Sequence, residues 1–356
     1  MNPPALRRPF SRVRSYGIVL VVVGTIVLVL ALVLAAGGFD VSTAFGALLC
    51  GAGGSSYAIF SATLVRAVPL IFTGLAVAVA FQGGILNIGA EGQLLAGAAA
   101  AAATALAVGE SLGSGAIWLG AMAAALAGAA WAAVPALLRR RFGVLEVIST
   151  IMMNFVALYG VGYLVRGPLQ EPTHIYPQSA SIPEATRLPW LLPGTRLHAG
   201  FVLALVAVAI AWYVLRFTAA GFRLRVVGAN PAAAASAGKI RVESVVTRAF
   251  LASGALAGIA GGVEVYGVTY ALYENLSPGY GYTAIAVALL AGLQPAYIIV
   301  SGVFLGALGA GAASMQREAG VPLALVSVVE AMIILAIVGG RVLLSRRQLP
   351  SAEAGS

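Results

Sequence analysis

The chain has 356 residues, of which 60% are hydrophobic and only 9% charged, and its mean hydropathy is +0.97. Soluble domains carry about 25% charged residues, so this composition excludes one and describes an all-α, polytopic membrane protein. The formal net charge of +9 sits in short basic clusters between apolar spans, which orientation in a membrane explains and a nucleic-acid partner does not.

Four arginines, Arg7, Arg8, Arg12 and Arg14, precede an apolar run from Gly17 to Ala36. The charge order is that of a signal sequence, but the run exceeds the 7 to 15 residues of a cleaved hydrophobic region and reads as a first spanning helix. Crossing a bilayer core of about 30 Å takes roughly 20 helical residues. Segments of that kind recur at about 17–36, 63–82, 85–108, 114–138, 143–165, 199–217, 246–266 and 321–340. Between the last two, 284–293 is too short to span alone, Gln294-Pro295 interrupts, and 296–312 is nearly long enough. Residues 41–62, apolar but rich in Gly and Ser, read as a partly inserted external segment. Cys50 within them has no second cysteine to pair with and follows the bulky Leu49, so it reads as a packing residue rather than a lipidation site.

These segments give ten membrane elements with both termini cytoplasmic. Residues 1–16 form a basic N-terminus, 17–340 the membrane domain with an external loop at 166–198 and a cytoplasmic segment at 218–243, and 341–356 a tail. Arg7, Arg8, Arg12, Arg14, Arg139, Arg140, Arg141, Arg216, Arg223, Arg225, Lys239, Arg241, Arg248, Arg341, Arg346 and Arg347 then lie inside, sixteen of the 21 basic residues, as the positive-inside rule requires. Ten elements divide into five plus five, and an odd number per half makes the halves inverted repeats, with one or two elements broken or short.

The densest polar signal is Gly83 to Gln93, GGILNIGAEGQ, inside an otherwise apolar run. A charge at the bilayer centre costs roughly 2.5 to 3.5 kcal/mol, so Glu91 is expected to face a protein interior or a watery path. With Gly89 to Gln93 helical, Asn87 and Glu91 share a face; they either line a path or staple neighbouring helices. The counterpart in the second half is Ser277 to Thr283, SPGYGYT, again Gly-rich and broken. Paired interrupted segments point to a transport site between the repeats, which brings in Gln93, Tyr280 and Tyr282. Glu146, Thr150 and Asn154 share a face of the fifth element, where a path or gate role is expected. Glu264 and Tyr266 fall near the external end of the seventh, and Glu330 mid-span in the tenth either bridges helices or lines a path. Gly254, Gly258 and Gly262 at spacing four, with Gly302 and Gly306, suit close helix packing.

Two connecting segments stand out. The external loop, with Pro168, Pro172, Pro177, Pro183, Pro189 and Pro193, is expected to be extended, and it either shapes a mouth for an external partner or acts as a spacer. The cytoplasmic stretch AAGFRLRVVGANPAAAASAGKIRV has an Asn230-Pro231 start signal, then a short helix ending at Gly238. It reads as a docking element for a cytoplasmic partner or as an interfacial loop. No GxxxxGK[ST] stretch occurs, so the chain binds no ATP by that route. His174 and His198 have no HExxH or carboxylate cluster around them, and neither a metal site nor a catalytic residue is expected.

GGILNIGAEGQ, FGVLEVISTIMMNFVALYGVGYLVRGPLQEP, GFRLRVVGANPAAAASAGKI, LSPGYGYTAIAVALLAG and GVPLALVSVVEAMIILAIV resemble a permease subunit of bacterial ATP-binding-cassette importers, in the branched-chain amino acid and simple-sugar group and specifically its nucleoside-type branch. The resemblance covers residues 63–340. It implies a non-enzymatic subunit of the bacterial inner membrane that works with a cytoplasmic ATPase, a second permease subunit in a heterodimer, an external substrate-binding lipoprotein and membrane lipid. It binds no cofactor itself, ATP and Mg belonging to the ATPase. Gly221, Arg225, Gly228, Asn230, Pro231 and Gly238 would then belong to the element coupling to the ATPase, and Asn87, Glu91, Gln93, Glu146, Asn154, Tyr280 and Tyr282 to the path or gate. The implied substrate is a nucleoside, with a ribose-like sugar as the alternative. An ion-gradient-driven secondary transporter is the reading from another class; the docking segment and the lack of an obvious intramembrane basic-acidic relay count against it.

Overall fold

A computed structural model describes residues 24–335 apart from 26, 237–239, 323, 326, 329, 330, 333 and 334. The basic N-terminus, Gly238, Glu330, most of the expected span 321–340 and the tail lie outside the described residues. Among the described residues there is no sheet, only three isolated bridges. The helices are α1 (Val27–Ala36), α2 (Val41–Gly53), α3 (Leu64–Gln82), α4 (Ala90–Leu112), α5 (Gly115–Phe142), α6 (Glu146–Arg166), α7 (Gly200–Phe217), α8 (Ala219–Ala229), α9 (Pro231–Ser236), α10 (Val242–Glu264), α11 (Tyr280–Leu290) and α12 (Pro295–Ala319). Seven of these, counting wide helical turns at Ala58–Thr63 before α3 and Val265–Thr269 after α10 as continuous with them, are long and apolar enough to cross a membrane; α1, α2 and α11 are shorter apolar helices.

The chain divides into two compact units, Ala52–Ala307 and the described parts of Met1–Gly51 with Leu308–Ser356. In the latter, Asp40 starts α2 by accepting the Ser42 and Thr43 amides at 2.8 and 3.3 Å, an N-cap. Leu30, Leu34, Ala44, Ala47, Ala312, Met315 and Val321 form its apolar cluster. Within residues 41–62, expected as a partly inserted external segment, Val41–Gly53 is a regular helix.

In the larger unit α3 is apolar from Ala67 to Phe81 apart from Thr73, and is almost wholly buried, as a central helix must be. Beside it α4, α5 and α10 pack backbone to backbone. The stripe expected to bring helices together does so: a Cβ on Gly258 would strike Ala124 and Gly128, one on Gly254 would strike Gly128, and one on Gly262 would lie 3.0 Å from Ala124 Cβ; Gly261, outside that stripe, abuts the Leu94 carbonyl. Without a hydrophobic drive between helices in lipid, such close van der Waals contact is what holds spans together. Several boundaries differ from the sequence reading. The element expected at 85–108 begins only at Ala90, because Gly84 takes a φ of +72° and the chain stays non-helical to Gly89. Residues 219–229, expected as a basic connecting stretch, form α8, capped by the Thr218 hydroxyl, which accepts the Gly221 amide at 3.3 Å.

The loop from Gly167 to Ala199 holds no α-helix, in keeping with its prolines; a short helical turn at Glu184–Thr186 and further turns at 167–169, 172–173 and 193–194 punctuate it. It is tied down along its length: Ser179, Ile182 and Leu188 amides donate to the carbonyls of Leu272, Tyr270 and Tyr266 at 2.7, 2.8 and 2.9 Å. At its end His198 is fully buried; its Nδ1 accepts the Gly200 amide at 3.2 Å, and its Nε2 has no partner among the described residues. Burial, helped by the Arg196 charge, depresses this imidazole from 6.5 to about 4.

Two measurements on the purified, detergent-solubilised chain check this packing. Gly258→Ala should lower stability by about 1 to 3 kcal/mol through overpacking, seen as a drop in thermal midpoint, whereas Gly160→Ala, where a Cβ meets nothing within 4 Å, should lower it by none. For His198 the folded pKa lies below the unfolded one, so the unfolded state holds the extra proton between about pH 6.5 and 4. Stability present above pH 6.5 should therefore fall by up to about 3 kcal/mol as pH drops towards 4, and His198→Gln should remove that slope.

Candidate functional site

The stretch Gly83 to Gly89 leaves α3 and enters α4 with Gly83, Ile85, Asn87 and Gly89 buried and Gly84 and Leu86 exposed. Its first residues close α3 through bonds from Gly83 and Ile85 to the Ala80 carbonyl and from Gly84 to that of Phe81. Asn87 then uses its whole amide. Its Oδ1 accepts the Gly89 amide at 2.9 Å and Gln93 Nε2 at 3.1 Å, while its Nδ2 donates to Gln93 Oε1 at 3.1 Å and to Ser253 Oγ at 2.9 Å. Ser253, on α10, donates onward to the Ala76 carbonyl of α3 at 2.7 Å. Asn87, Gln93 and Ser253 are all buried, and a buried amide with every donor and acceptor matched fixes its surroundings.

Helix α4 starts with free amides that no water reaches, and α6 supplies the cap. Asn154 Oδ1 accepts the Gly92 amide at 2.9 Å, and its Nδ2 donates to the Ile88 carbonyl at 3.0 Å and to the Tyr282 hydroxyl at 3.3 Å. Helix α4 in turn caps α11. The Glu91 carboxylate accepts the Gly281 amide at 2.6 Å, with the Ser277 side chain on the same carboxylate. Ser277 Oγ also takes the Gly279 and Tyr280 amides at 3.2 and 3.1 Å. The two helix starts touch: a Cβ on Gly281 would fall on the Glu91 backbone. A carboxylate at a helix N-terminus meets both its free amides and the positive end of its dipole.

Asn87 and Glu91 therefore do not share a helical face, because α4 begins after Asn87. One ties α3 and α10, the other reaches α11. Asn87, Glu91, Gln93, Asn154, Tyr280 and Tyr282 come together around the two helix starts; Tyr282 keeps 45% of its surface exposed beside Asn154. Glu146 stands apart, about two turns before Asn154 along α6, where it pairs with Arg139 at the end of α5 at 3.3 Å. At the other end of α6, a cleft of about 320 Å³ is lined by Tyr159, Gly162, Tyr163, Arg166, Gly167 and Glu274, with Arg166 and Glu274 paired at 2.6 Å.

The docking stretch splits by face. Gly221 and Leu224 are buried, and Gly228 abuts Gln82 and Gly83, whereas Phe222, Arg223, Arg225, Asn230 and Pro231 are exposed. Asn230 caps α9 by accepting the Ala233 amide at 3.0 Å. Sequence reasoning missed Ser253 and Gln82; a lone hydroxyl before Gly254 and an amide at the end of an apolar span were the available signals. Among the described residues no three His, Cys, Asp or Glu side chains could hold a metal ion. The arrangement is a joint between helix ends, able to hold or release a conformation.

The profile of a family described as "Branched-chain amino acid transport system / permease component" matches residues 59–338. The guanosine ABC transporter permease protein NupP of Bacillus subtilis is 38% identical over 309 residues, 86% of this chain and 88% of that one. The nucleoside ABC transporter permease protein NupB of Lactococcus lactis is 31% identical over 322 residues, 86% of each chain. The glucose ABC transporter permease protein TsgB13 of Haloferax volcanii is 38% identical over 285 residues, 77% of this chain and 74% of that one.

Replacing Glu91 separates charge from shape at the joint. Glu91→Gln keeps an acceptor for Gly281 and should lower the thermal midpoint little; Glu91→Ala leaves buried amides unpaired and should destabilise by about 1 to 3 kcal/mol in the same melt.

Proposed function

We propose a function from one premise: the chain belongs to the family of branched-chain amino acid transport system permease components. It is a multi-pass membrane subunit that forms half of the path for a nucleoside in an ATP-driven importer. The observation that carries the substrate class is the 38% identity to the guanosine permease NupP over 86% of this chain. ATP and Mg belong to a separate ATPase, the other half of the path to a second permease chain, and capture of substrate to an external lipoprotein. Both termini are cytoplasmic, in the bacterial inner membrane.

The mechanism is alternating access. The helix starts of α4 and α11 meet end to end at Glu91 and Gly281, which is what a pair of interrupted helices from two inverted five-element repeats would give at a midplane site. Asn87 and Gln93 hold the α4 start to α3 and α10. Asn154 and Tyr282 line the open side, and Tyr280 and Glu91 set the pitch of α11. Glu146 and Arg139 close the cytoplasmic end of α6 as a gate pair, while the cleft at Tyr159 and Tyr163 is the external end of the same helix. Phe222, Arg223 and Arg225 with α9 present a projecting surface to the ATPase. An ATPase state moves the path only if it contacts the two path conformations differently, and this surface supplies the place for that difference.

The glucose permease TsgB13, equally identical at 38%, favours a second reading in which the cargo is a sugar. Uptake of labelled guanosine, adenosine, ribose, glucose and leucine, measured in otherwise equal strains with and without the gene, distinguishes them. Loss of nucleoside uptake alone is the expected outcome. Loss of hexose or pentose uptake alone would move the assignment to sugars, and unchanged uptake of all five would sink both.

A further inference from the structure

The short helix α8 has two working faces. Its exposed face carries Phe222, Arg223 and Arg225, while Leu224, Val227 and Gly228, at one helical spacing, turn inward. Leu224 and Val227 enter an apolar cluster with Val79, Ala80, Ile85, Ala136 and Phe250. Gly228 goes further and meets backbone directly: a Cβ there would strike the Gln82 carbonyl and lie 3.1 Å from the Gly83 carbonyl carbon. From the other side, a Cβ on Gly84 would lie 3.4 Å from Gly228 Cα, and one on Gly83 would lie 2.7 Å from Leu224 Cδ1. Bare backbone against bare backbone leaves no flexible side chain to absorb a displacement.

The turn that α8 grips, Gln82 to Gly84, is connected to both ends of α11. The Gln82 side-chain amide donates to the Leu293 carbonyl, in the turn that closes α11, where Gly292 and Leu293 both take a φ of +59°. Onward from Gly84 the chain runs through Ile85 and Asn87 to Glu91, which holds the Gly281 amide at the start of α11. One three-residue turn is thus bonded directly to the end of this 11-residue helix and joined through seven residues of chain to the carboxylate that caps its start.

We propose that Gly228 clasping the Gln82–Gly84 turn is the contact through which displacement of the α8–α9 element moves α11 as a rigid piece. Gly228, Leu224 and Gln82 are positioning residues: they touch neither the ATPase nor the cargo. The inference rests on the permease reading, because it takes the exposed face of α8 as the input. In that scheme the face that binds a partner and the face that moves the path are opposite sides of the same helix, and substitutions on them have separable effects.

The test is the complete complex of this chain with its ATPase, second permease and binding lipoprotein, in liposomes. Co-purification of the ATPase, basal ATP hydrolysis and ATP-dependent uptake of labelled guanosine and labelled glucose are read for each variant. Gly228→Ala should retain the ATPase, keep basal hydrolysis within about twofold and lower uptake at least about tenfold, whereas Arg225→Ala should weaken ATPase retention itself. Should Gly228→Ala fail to fold, Leu224→Ala, which removes the side chain lying on Gly83 and in the apolar cluster, decides: uptake per ATP lowered about fivefold supports the contact. Normal uptake per ATP in Gly228→Ala or, if that variant does not fold, in Leu224→Ala overturns it, as does loss of the ATPase in a folded Gly228→Ala. A wild-type complex showing no ATP-coupled uptake overturns the permease reading instead, so the two failures are distinguishable.

Discussion

Amide groups at the start of a helix have no partner within that helix, and away from water each must find one or cost several kcal/mol. Two helices here, α4 and α11, begin inside the protein, and the rest of the larger unit is arranged around satisfying them. Asn154 reaches across from α6 to Gly92, and Glu91 reaches from α4 to Gly281. The caps form a chain in which each helix depends on the next. Such a chain is stiff while intact and changes as a whole when one link moves, since packed interiors have few intermediate arrangements.

This dependence explains why the polar residues of the spans are both few and interlocked. Asn87 makes four hydrogen bonds to three residues on two parts of the chain, the start of α4 and α10, which uses the whole capacity of its amide. Glu91 is committed to a backbone amide. The exposed aromatic side chains nearest this joint and along α6 are Tyr282, Tyr159 and Tyr163.

How much of this the sequence disclosed varies by feature. Membrane class, the broken stretch at Gly83 to Gln93 and the glycine stripe of α10 were legible because each is written in local composition or spacing. The point where α4 begins was not, since Ile85, Leu86 and Ile88 prolong the apolar pattern while Gly84 and Asn87 break the backbone. The partners of the polar residues were also hidden. Asn154 and Gly92 are 62 residues apart and Glu91 and Gly281 190 apart, and one sequence carries no record of such pairs. Helix α8 escaped because two glycines and two arginines make it look like a loop; its inward face shows as apolar only once the turn it covers is known.

The wide turn at Val265–Thr269 has a consequence for how this end of α10 could change over time. A turn of this kind holds one residue more than a regular helix and so rotates everything after it by about 100°. Here that rotation accompanies the inward placement of Tyr266, whose hydroxyl bonds the Ala101 carbonyl at 2.8 Å and occupies the space left by Gly120. A single-residue deletion in this turn would therefore act as a change of register, not of length, sending the loop anchor at Tyr270 and Leu272 to a different side of the bundle. Lineages that share this chain's loop anchoring are expected to hold the residue count between Glu264 and Tyr270 fixed even where the residues themselves drift.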